Sequence, residues 1–465
     1  MDKQYDLLLV GGMVVTGKCI RRADVGVRGE TVAAVEPNLP HEAAREVLDV
    51  SGKYVFPGII DVHVHPVYLD DVEACSRVAA YGGTTTLLHF AYARTGDSLL
   101  QKVEEMLKDA QARSRLDFGL HGGMFEAPRQ VPEIRRVMEL GVRTFKFFLT
   151  YLKQGWYTDD YQLIKAMDIL AQQGGMAIVH CENGGAIDYL EDKYLTPPLS
   201  PPLRGGDERG SWAELFNASR PAALEEEAVF RTIRLAETVG CKVYIPHVTA
   251  GRVLRPIRQA QEEGLPVYAE TCPQYLNLTQ DILDTCGALA KIGPPIRTAQ
   301  DNEALWAALR DGTLSVVASD HAPKAKDVSG DFLTQGFGSP QIETLLPMTY
   351  DGGVNQGHIG VVRLVQVLCE NPARIFGLYP CKGTIAVGSD ADLVVFDPTR
   401  EFPIRAENQH SNVGYTLYEG RTVLGWPEMS FQRGKRVLWQ GEIVAEPGQG
   451  HFLPTLESPA EPIKP

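Results

Sequence analysis

Several features that mark common protein classes are missing from this sequence of 465 residues. It has no apolar stretch long enough to span a bilayer, so we expect no membrane partner. The eight cysteines are scattered and no two form a C-x-x-C pair, which favours reduced thiols over disulfides or a zinc ribbon. Its first residues do not resemble a signal peptide. We therefore expect a cytoplasmic protein.

Blocks of positive charge are also missing, because the lysines and arginines are dispersed and the formal net charge is −14. Phosphate binding depends on clustered cations, so we expect no nucleic-acid partner. None of the apolar runs is followed by a G-x-G-x-x-G helix start, which argues against a dinucleotide site. With 44% hydrophobic residues, the chain can form a large core.

Short apolar runs alternate with amphipathic helical segments from residue 55 onward, which indicates βα units and a parallel sheet. Eight runs are typical of a (β/α)8 barrel of the TIM type; a doubly wound open sheet is the competing interpretation. The runs are Val55–His65, Thr84–Phe90, Phe118–Met124, Thr144–Leu149, Met176–Cys181, Lys242–Val248, Val267–Thr271 and Leu314–Asp320.

Short strands dominate both ends of the chain, and the simplest arrangement pairs these two parts into one small β-sandwich. We therefore predict an α/β protein with sandwich segments at 1–54 and 379–445, a barrel at 55–378 and a tail or arm at 446–465. Two insertions follow barrel strands, at 193–222 and 323–341. Long loops at such positions are typical of lids and substrate walls.

The motif Asp61-Val62-His63-Val64-His65 closes the first run. Side chains at i and i+2 of a strand point the same way, so His63 and His65 can reach one metal ion. A chance pair of histidines is the ordinary alternative. The carboxyl end of a barrel strand is, however, where such enzymes place their chemistry.

Other ionisable groups end other runs: Lys146, His180, His247 and Asp320. A buried histidine alone is usually a satisfied core residue. Lys146 is harder to explain, because an isolated ammonium within an apolar strand is costly unless it is paired or neutralised. Together with the two histidines of the first strand, these groups predict a two-metal site at one rim of the barrel.

These motifs resemble the amidohydrolase superfamily, and more closely its cyclic amidohydrolases: dihydropyrimidinases, hydantoinases and allantoinases. The resemblance covers about residues 5–445. It rests on Asp61-x-His63-x-His65, Phe145-Lys146-Phe147-Phe148, Val179-His180-Cys181-Glu182-Asn183, Pro246-His247-Val248-Thr249, Ser319-Asp320-His321, Pro294-Pro295-Ile296-Arg297 and Gly383-Thr384-Ile385.

The resemblance implies that Lys146 is carboxylated by CO2 and that its carbamate bridges two divalent metal ions, usually zinc. The implied ligands are His63, His65, Lys146 and Asp320 for one ion, and Lys146, His180 and His247 for the other. A hydroxide between the ions then attacks the ring amide carbonyl. Asp320 moves the proton to the leaving nitrogen, and Tyr151 donates to the oxyanion. The resemblance also implies a homo-oligomer, commonly a tetramer.

Four positions bear on the substrate. Dihydroorotase-like members carry an arginine where this chain has Val67, so a carboxylated ring is disfavoured, and valine also argues mildly against allantoin. Tyr151 favours a dihydropyrimidinase or a hydantoinase. By the resemblance, Gly293 and Pro340 stand where dihydropyrimidinases carry a serine and an asparagine that clamp the ring amide, and proline has no N–H to offer. We predict both as substrate-binding positions, with ring recognition shifted or the local match off by one residue.

Three functions remain open. The favoured one is a binuclear metal-dependent hydrolase that opens a cyclic amide bond of a hydantoin or dihydropyrimidine. The second is an allantoinase or another amidohydrolase acting on a different amide or ureide. The third is a non-catalytic dihydropyrimidinase-like scaffold, which is disfavoured because such proteins lack several metal ligands and this chain has all six.

Overall fold

The computed structural model describes residues 3–195, 212–327 and 332–455. The strands before the barrel are β1 (Tyr5–Val10), β2 (Met13–Val15), β3 (Ile20–Arg22), β4 (Asp24–Arg28), β5 (Thr31–Glu36), β6 (Ala44–Asp49) and β7 (Tyr54–Pro57). Those of the barrel are β8 (Ile59–Val64), β9 (Thr84–Ala93), β10 (Asp117–Met124), β11 (Thr144–Phe148), β12 (Met176–His180), β13 (Lys242–Ile245), β14 (Val267–Thr271) and β15 (Val316–Val317). After the barrel follow β16 (Leu393–Pro403), β17 (Thr422–Gln432), β18 (Lys435–Trp439) and β19 (Glu442–Ile443).

Most helices lie between the barrel strands. They are α1 (Val72–Tyr81), α2 (Leu99–Arg113), α3 (Ala127–Gln130), α4 (Ile134–Glu139), α5 (Asp160–Gln173), α6 (Gly184–Leu195), α7 (Trp212–Ser219), α8 (Ala222–Val239), α9 (Leu254–Glu262), α10 (Pro273–Asn277), α11 (Ile282–Cys286), α12 (Ala299–Asp311), α13 (Leu345–Tyr350), α14 (Val361–Val365) and α15 (Asn371–Ile375). In the part of the chain that the structure covers, no helix combines the length and the apolar character needed to cross a bilayer.

The eight barrel strands pair in chain order, and all pairs are parallel. The ends of the sheet meet beyond β15, where His321 forms a parallel bridge with Val64. His65 N donates to His321 O at 3.1 Å, and His321 N donates to His63 O at 3.3 Å. The predicted (β/α)8 barrel is confirmed, and the open-sheet alternative is wrong.

The first predicted run, Val55–His65, contains two strands rather than one. The chain leaves β7 at Gly58 and enters β8, while β7 itself pairs with β2 and β16 outside the barrel. Gly58 N donates to Asp392 O at 2.8 Å, and a Cβ at this position would lie 2.0 Å from Thr85 Oγ1. Only glycine fits this crossing, so a continuous apolar pattern conceals the boundary between the two sheets.

Two further sheets form the small domain. One has the order β5-β4-β1-β6, and the other has the order β19-β18-β17-β16-β7-β2-β3, so the second combines both ends of the chain. Leu9 and Val25 from the first sheet pack in one core with Val55, Leu393 and Phe431 from the second. This sandwich is the predicted one. The sequence shows no apolar pattern at β3, because all three residues of this strand are exposed.

The predicted insertions are only partly loops. The segment 193–222 holds the end of α6 and all of α7, while residues 196–211 lie outside the described residues. The segment 323–341 is irregular apart from a 3-10 turn at Phe332–Thr334, with 328–331 outside the description. Of the predicted tail, Phe452 bridges to Phe118, and Thr455 N donates to Gly141 O, so its first part packs on the barrel. Residues 456–465 lie outside the description.

A buried charge network joins the barrel to the sandwich. Lys382 Nζ lies 2.5 Å from Asp117 at the start of β10, 2.9 Å from Asp390 and 2.8 Å from Asp392. Arg433 also binds Asp117. Burial alone would lower the pKa of Lys382, but the three carboxylates outweigh it and raise the pKa. Lys382 therefore neutralises acids from both domains at one point.

We expect Lys382→Met to destabilise the protein by about 3–5 kcal/mol, because buried carboxylates lose their shared cation. The measurement is the free energy of unfolding from denaturant titration. Lys435→Met is the matched control, since the side chain of Lys435 is 60% exposed. Equal unfolding free energies for the two variants would show that the network does not stabilise the domain contact.

Candidate active site

A cavity of about 300 Å³ opens at the carboxyl ends of the barrel strands. It contains all six predicted metal ligands in its wall, and aromatic side chains form much of the rest. The ligands in the wall are His63, His65, Lys146, His180, His247 and Asp320. The aromatic residues are Tyr68, Tyr92, Phe125, Phe148, Tyr151, Trp156 and Phe337.

Four imidazole rings form a continuous row across the floor of this cavity. The ring centroids of His65 and His63 are 5.0 Å apart, those of His63 and His247 are 5.4 Å apart, and those of His247 and His180 are 4.6 Å apart. These histidines come from the ends of β8, β12 and β13. The barrel therefore brings together residues that are up to 184 positions apart (247 − 63).

The four rings are poor proton acceptors. Burial lowers the pKa of each, and it holds the pKa of His63 and His247 well below the ordinary value. A neutral imidazole is the form that binds a metal ion. The four imidazoles are therefore neutral, and able to bind a metal ion, near neutral pH.

Each of three rings is oriented by a partner on the nitrogen that faces away from the row. His63 Nδ1 lies 2.6 Å from Glu270 Oε1, His65 Nδ1 lies 3.0 Å from Tyr92 Oη, and His180 Nε2 lies 2.7 Å from Glu182 Oε2. Such contacts fix the tautomer and the ring angle of metal-binding histidines. The opposite nitrogen is left for the site.

Glu270 is a functional residue that sequence reasoning missed. It lies on β14, accepts a hydrogen bond from Tyr244 at 2.7 Å, and accepts a second from His247 N at 3.2 Å. It thus links two candidate ligands. Burial raises the pKa of Glu270 to about 8. The available signal was an acidic residue inside the apolar run of the seventh barrel strand, which had no other candidate.

Asp320 lies between the two histidines of the first strand. Its Oδ1 is 2.9 Å from His65 Nε2 and 3.2 Å from His63 Nε2. Burial would raise the pKa of Asp320, but His63 and His65 lower it to about 2, so the carboxylate is ionised. The buried His63 Nε2 has no hydrogen bond of acceptable geometry within the described structure. His63, His65 and Asp320 each offer one ligand atom, and these three atoms all lie within 4.8 Å of one another.

Lys146 is 1% exposed, and its Nζ lies 5.4 Å from the ring centre of Phe90 and 5.5 Å from that of Phe148. It forms no hydrogen bond or ion pair with any residue that the structure describes. Burial lowers the pKa of Lys146 to about 8, although Asp320 and Glu270 oppose the shift. A buried amine that is partly neutral and unpaired is the form that reacts with CO2.

Three of the site residues have strained backbones. The φ angles of Tyr151, His247 and Asp320 are 63°, 41° and 51°. Non-glycine residues avoid this region at a cost of about 1–3 kcal/mol each, and such strain concentrates at functional sites. The strain positions each side chain just beyond the end of its strand.

Asp61 has a supporting place. Its Oδ1 accepts hydrogen bonds from His63 N at 3.2 Å and from Ser319 N at 3.1 Å. It thus ties the end of β8 to the segment that carries Asp320. We infer that Asp61 shapes the strand end.

Tyr151 lies in the cavity wall, with its ring centroid 5.4 Å from that of His180. A Cβ at Gly293 would lie 3.0 Å from Tyr151 Oη and 3.1 Å from Phe337 Cδ1, so a larger residue would crowd both rings. Gly293 lines the cavity. Pro340 instead lines a separate cavity of about 10 Å³, and Ser339, its neighbour, lines the main one.

The donor set fits two divalent metal ions. Neutral imidazole, carboxylate and a carbamate on Lys146 are all zinc ligands in type, and six donors suffice for two open sites. His63 Nε2 is a buried nitrogen without a hydrogen-bond partner among the residues described, and such an ion would satisfy it. The structure thus supports the use of divalent metal.

The profile of the Amidohydrolase family matches residues 54–423. The chain belongs to the amidohydrolase family. A D-hydantoinase of Streptomyces coelicolor is 38% identical over 96% of this chain and 97% of that protein. An L-hydantoinase of Paenarthrobacter aurescens is 33% identical over 97% of this chain and 98% of its own.

Solved structures agree with these relatives. A dihydropyrimidinase from Brevibacillus agri superposes with a TM-score of 0.90 at 32% identity, covering 99% of this amidohydrolase and all of that chain. A D-hydantoinase from a Bacillus species gives a TM-score of 0.89 at 34% identity over 97% of this chain and 100% of its own. The barrel and the sandwich are therefore shared with hydantoinases of full length.

In this amidohydrolase, we expect Glu270→Gln to weaken metal binding about 10- to 100-fold, because His63 loses the carboxyl group, 2.6 Å from its Nδ1, that orients the ring. The measurement is metal content during titration with a chelator. Glu303→Gln is the control, since the side chain of Glu303 on α12 is 70% exposed. The role of Glu270 is contradicted if both variants release metal at the same chelator concentration.

Proposed function

We propose that this amidohydrolase opens the cyclic amide bond of a hydantoin or a dihydropyrimidine by hydrolysis. One observation carries the proposal: four neutral imidazoles, an ionised carboxylate and an unpaired lysine converge at the floor of one cavity. The hydantoinase relatives cover nearly the whole chain and support the same reaction class. The complete donor set argues against a non-catalytic scaffold.

Two ions, with zinc favoured by the imidazole-rich donor set, complete the proposed site. His63, His65, Lys146 and Asp320 would hold one ion, and Lys146, His180 and His247 would hold the other. Lys146 would take part as a carbamate formed with CO2, which would turn a buried amine into an anionic ligand with two oxygens. Divalent ions supply Lewis-acid polarisation of the carbonyl and lower the pKa of water.

The protein side chains then have three tasks. Asp320, ionised and directed at the centre of the site, takes up the proton released as water attacks and delivers it to the leaving ring nitrogen. Tyr151 stays protonated, because burial raises its pKa, and donates its hydroxyl to the carbonyl oxygen as charge develops. The aromatic wall excludes water and holds the ring.

This wall also bears on the substrate. Trp156 stacks on Phe125 with ring centroids 4.4 Å apart, and Tyr151 lies 5.5 Å from Trp156. The large apolar surface suits a hydantoin with a bulky substituent. Assembly into a tetramer and a cytoplasmic location remain predictions. All eight cysteines lie within the described residues and are free thiols.

We expect Lys146→Ala to lose both metal ions and nearly all activity, because the bridging ligand is gone. Short-chain carboxylates added in solution are expected to restore part of the rate by replacing the carbamate. Metal content and turnover are measured in the same samples. Lys165→Ala, at an exposed position on α5, is the matched control. Full metal content and full activity in the Lys146 variant would disprove the carbamate.

The proposed reaction is tested with a substrate panel: dihydrouracil, substituted hydantoins of both hands, allantoin and dihydroorotate. The protein is expressed with zinc and bicarbonate, and ring opening is followed by loss of ultraviolet absorbance. We expect turnover of hydantoins or of dihydrouracil. Turnover of allantoin alone would select the second candidate, and absence of any turnover with metal bound would reject the cyclic-amide proposal.

A further inference from the structure

The cavity wall contains a second lysine that the proposed reaction does not use. Lys324 follows β15 in the segment that was predicted as a substrate wall, and it lines the cavity. Its Nζ forms neither a hydrogen bond nor an ion pair with any residue in the described ranges. Its contact is with the ring of Tyr68, whose centre is 4.3 Å away. Burial lowers the pKa of Lys324 to about 8 while Asp320 opposes the shift, so the amine is largely cationic at neutral pH and faces the substrate space with no ion-pair partner among the residues described.

Its neighbours hold Lys324 in this position. A Cβ at position 336 would lie 2.7 Å from Lys324 Cδ. Glycine at this position therefore leaves room for the side chain of Lys324. Two residues on, Lys326 Nζ donates to Leu289 O and to Lys291 O, both at 2.9 Å. This lysine anchors the loop to the segment after β14. Contacts between these two loops therefore hold Lys324 in place.

The other charges in the wall have partners or tasks. Lys291 Nζ donates to Phe332 O and Leu333 O, both at 2.9 Å, and Lys146 is a proposed metal ligand. Asp320 carries the only carboxylate among the lining residues that the structure describes. It is committed to His63 and His65. Lys324 is therefore the cation of the wall that is free to meet a ligand.

Tyr68 adds a second donor beside Lys324. Its hydroxyl has no hydrogen-bond partner among the residues described, and it also lines the cavity. Burial raises the pKa of Tyr68 to about 12, so the phenol keeps its proton. Lys324 Nζ lies over the Tyr68 ring and both residues line the same cavity, so an ammonium and a phenol O–H can together meet the two oxygens of a carboxylate.

We propose that Lys324 and Tyr68 bind a carboxylate carried by the substrate, so that the favoured ring is an acidic cyclic ureide. This inference rests on the proposed ring-opening function and adds the substrate class. The carboxylate is either attached directly to the ring or carried on a flexible substituent. The metal centre acts on the ring amide in both cases.

The proposal revises one expectation from the sequence. Val67 replaces the arginine that holds a carboxylate in dihydroorotase-like relatives, and on that ground a carboxylated ring was disfavoured. The structure brings a cation to the adjacent residue, Tyr68, from the loop after the last barrel strand. A carboxylate site is thus compatible with Val67, because its charge comes from a distant part of the chain.

The test compares substrates that differ only in charge. kcat/KM is measured for a hydantoin with a carboxyethyl substituent and for its carbamoylethyl counterpart, and likewise for dihydroorotate and its primary amide. We expect the wild-type enzyme to favour at least one acid over its amide by about 10- to 100-fold, which is the effect of one charge-assisted hydrogen bond. The pair that shows the preference identifies where the carboxylate is attached.

Variants then assign the preference to the two residues. Lys324→Met is expected to abolish the preference through a higher KM for the acid, with a much smaller change in kcat/KM for the amide. Tyr68→Phe is expected to reduce the preference several-fold. Lys324→Glu is expected to favour a hydantoin with an aminopropyl substituent over both others, because the charge of the wall is reversed.

Lys153→Met is the matched control. Lys153 lies on the loop after β11 and pairs with Asp192 at 2.5 Å, outside the cavity wall. If this variant loses the acid preference as Lys324→Met does, long-range attraction explains the effect and the proposal fails. The proposal also fails if the wild-type enzyme turns over acids and amides equally, or if Lys324→Met slows both equally. Loss of all ring opening in the wild-type enzyme would instead reject the proposed function itself.

Discussion

Closure of the barrel is the constraint on which the site depends. The first and last strands meet through the backbone hydrogen bonds of His63 and His65 with His321. Asp61 adds a further link, because its carboxylate accepts a hydrogen bond from Ser319 N. These bonds fix Asp320 against the two histidines of the first strand. The six donors come from five strands, so their geometry exists only once the sheet has closed. Folding and assembly of the metal site are therefore the same event.

A second layer of polar contacts makes this geometry stiff. Glu270, Tyr92 and Glu182 each hold one imidazole, and Arg220 in turn binds Glu182 at 2.8 Å. The backbones of Tyr151, His247 and Asp320 adopt positive φ angles, a strain that persists only where the surrounding structure holds it. These contacts orient the candidate ligands toward one another.

The sequence predicted the barrel strands, and it offered candidate ligands that the structure brings to one cavity, because both have local signals. The carboxyl ends of parallel strands carry the chemistry, so polar residues such as His180 or Asp320 after an apolar run could be located. Glu270 was missed, because its partners His63 and Tyr244 are far away in the chain. The crossing at Gly58 and the meeting of Lys324 with Tyr68 also depend on tertiary contacts. No local pattern encodes such pairs.

Lys382 has a consequence for how this protein can be divided or recombined. The acids that it neutralises belong to the barrel and to the sandwich, so separating the two parts would leave Asp117 of the barrel without Lys382 and Arg433. A barrel exchanged between relatives must bring its matching sandwich residues with it. We therefore expect the two domains to evolve together, although their sheets are distinct.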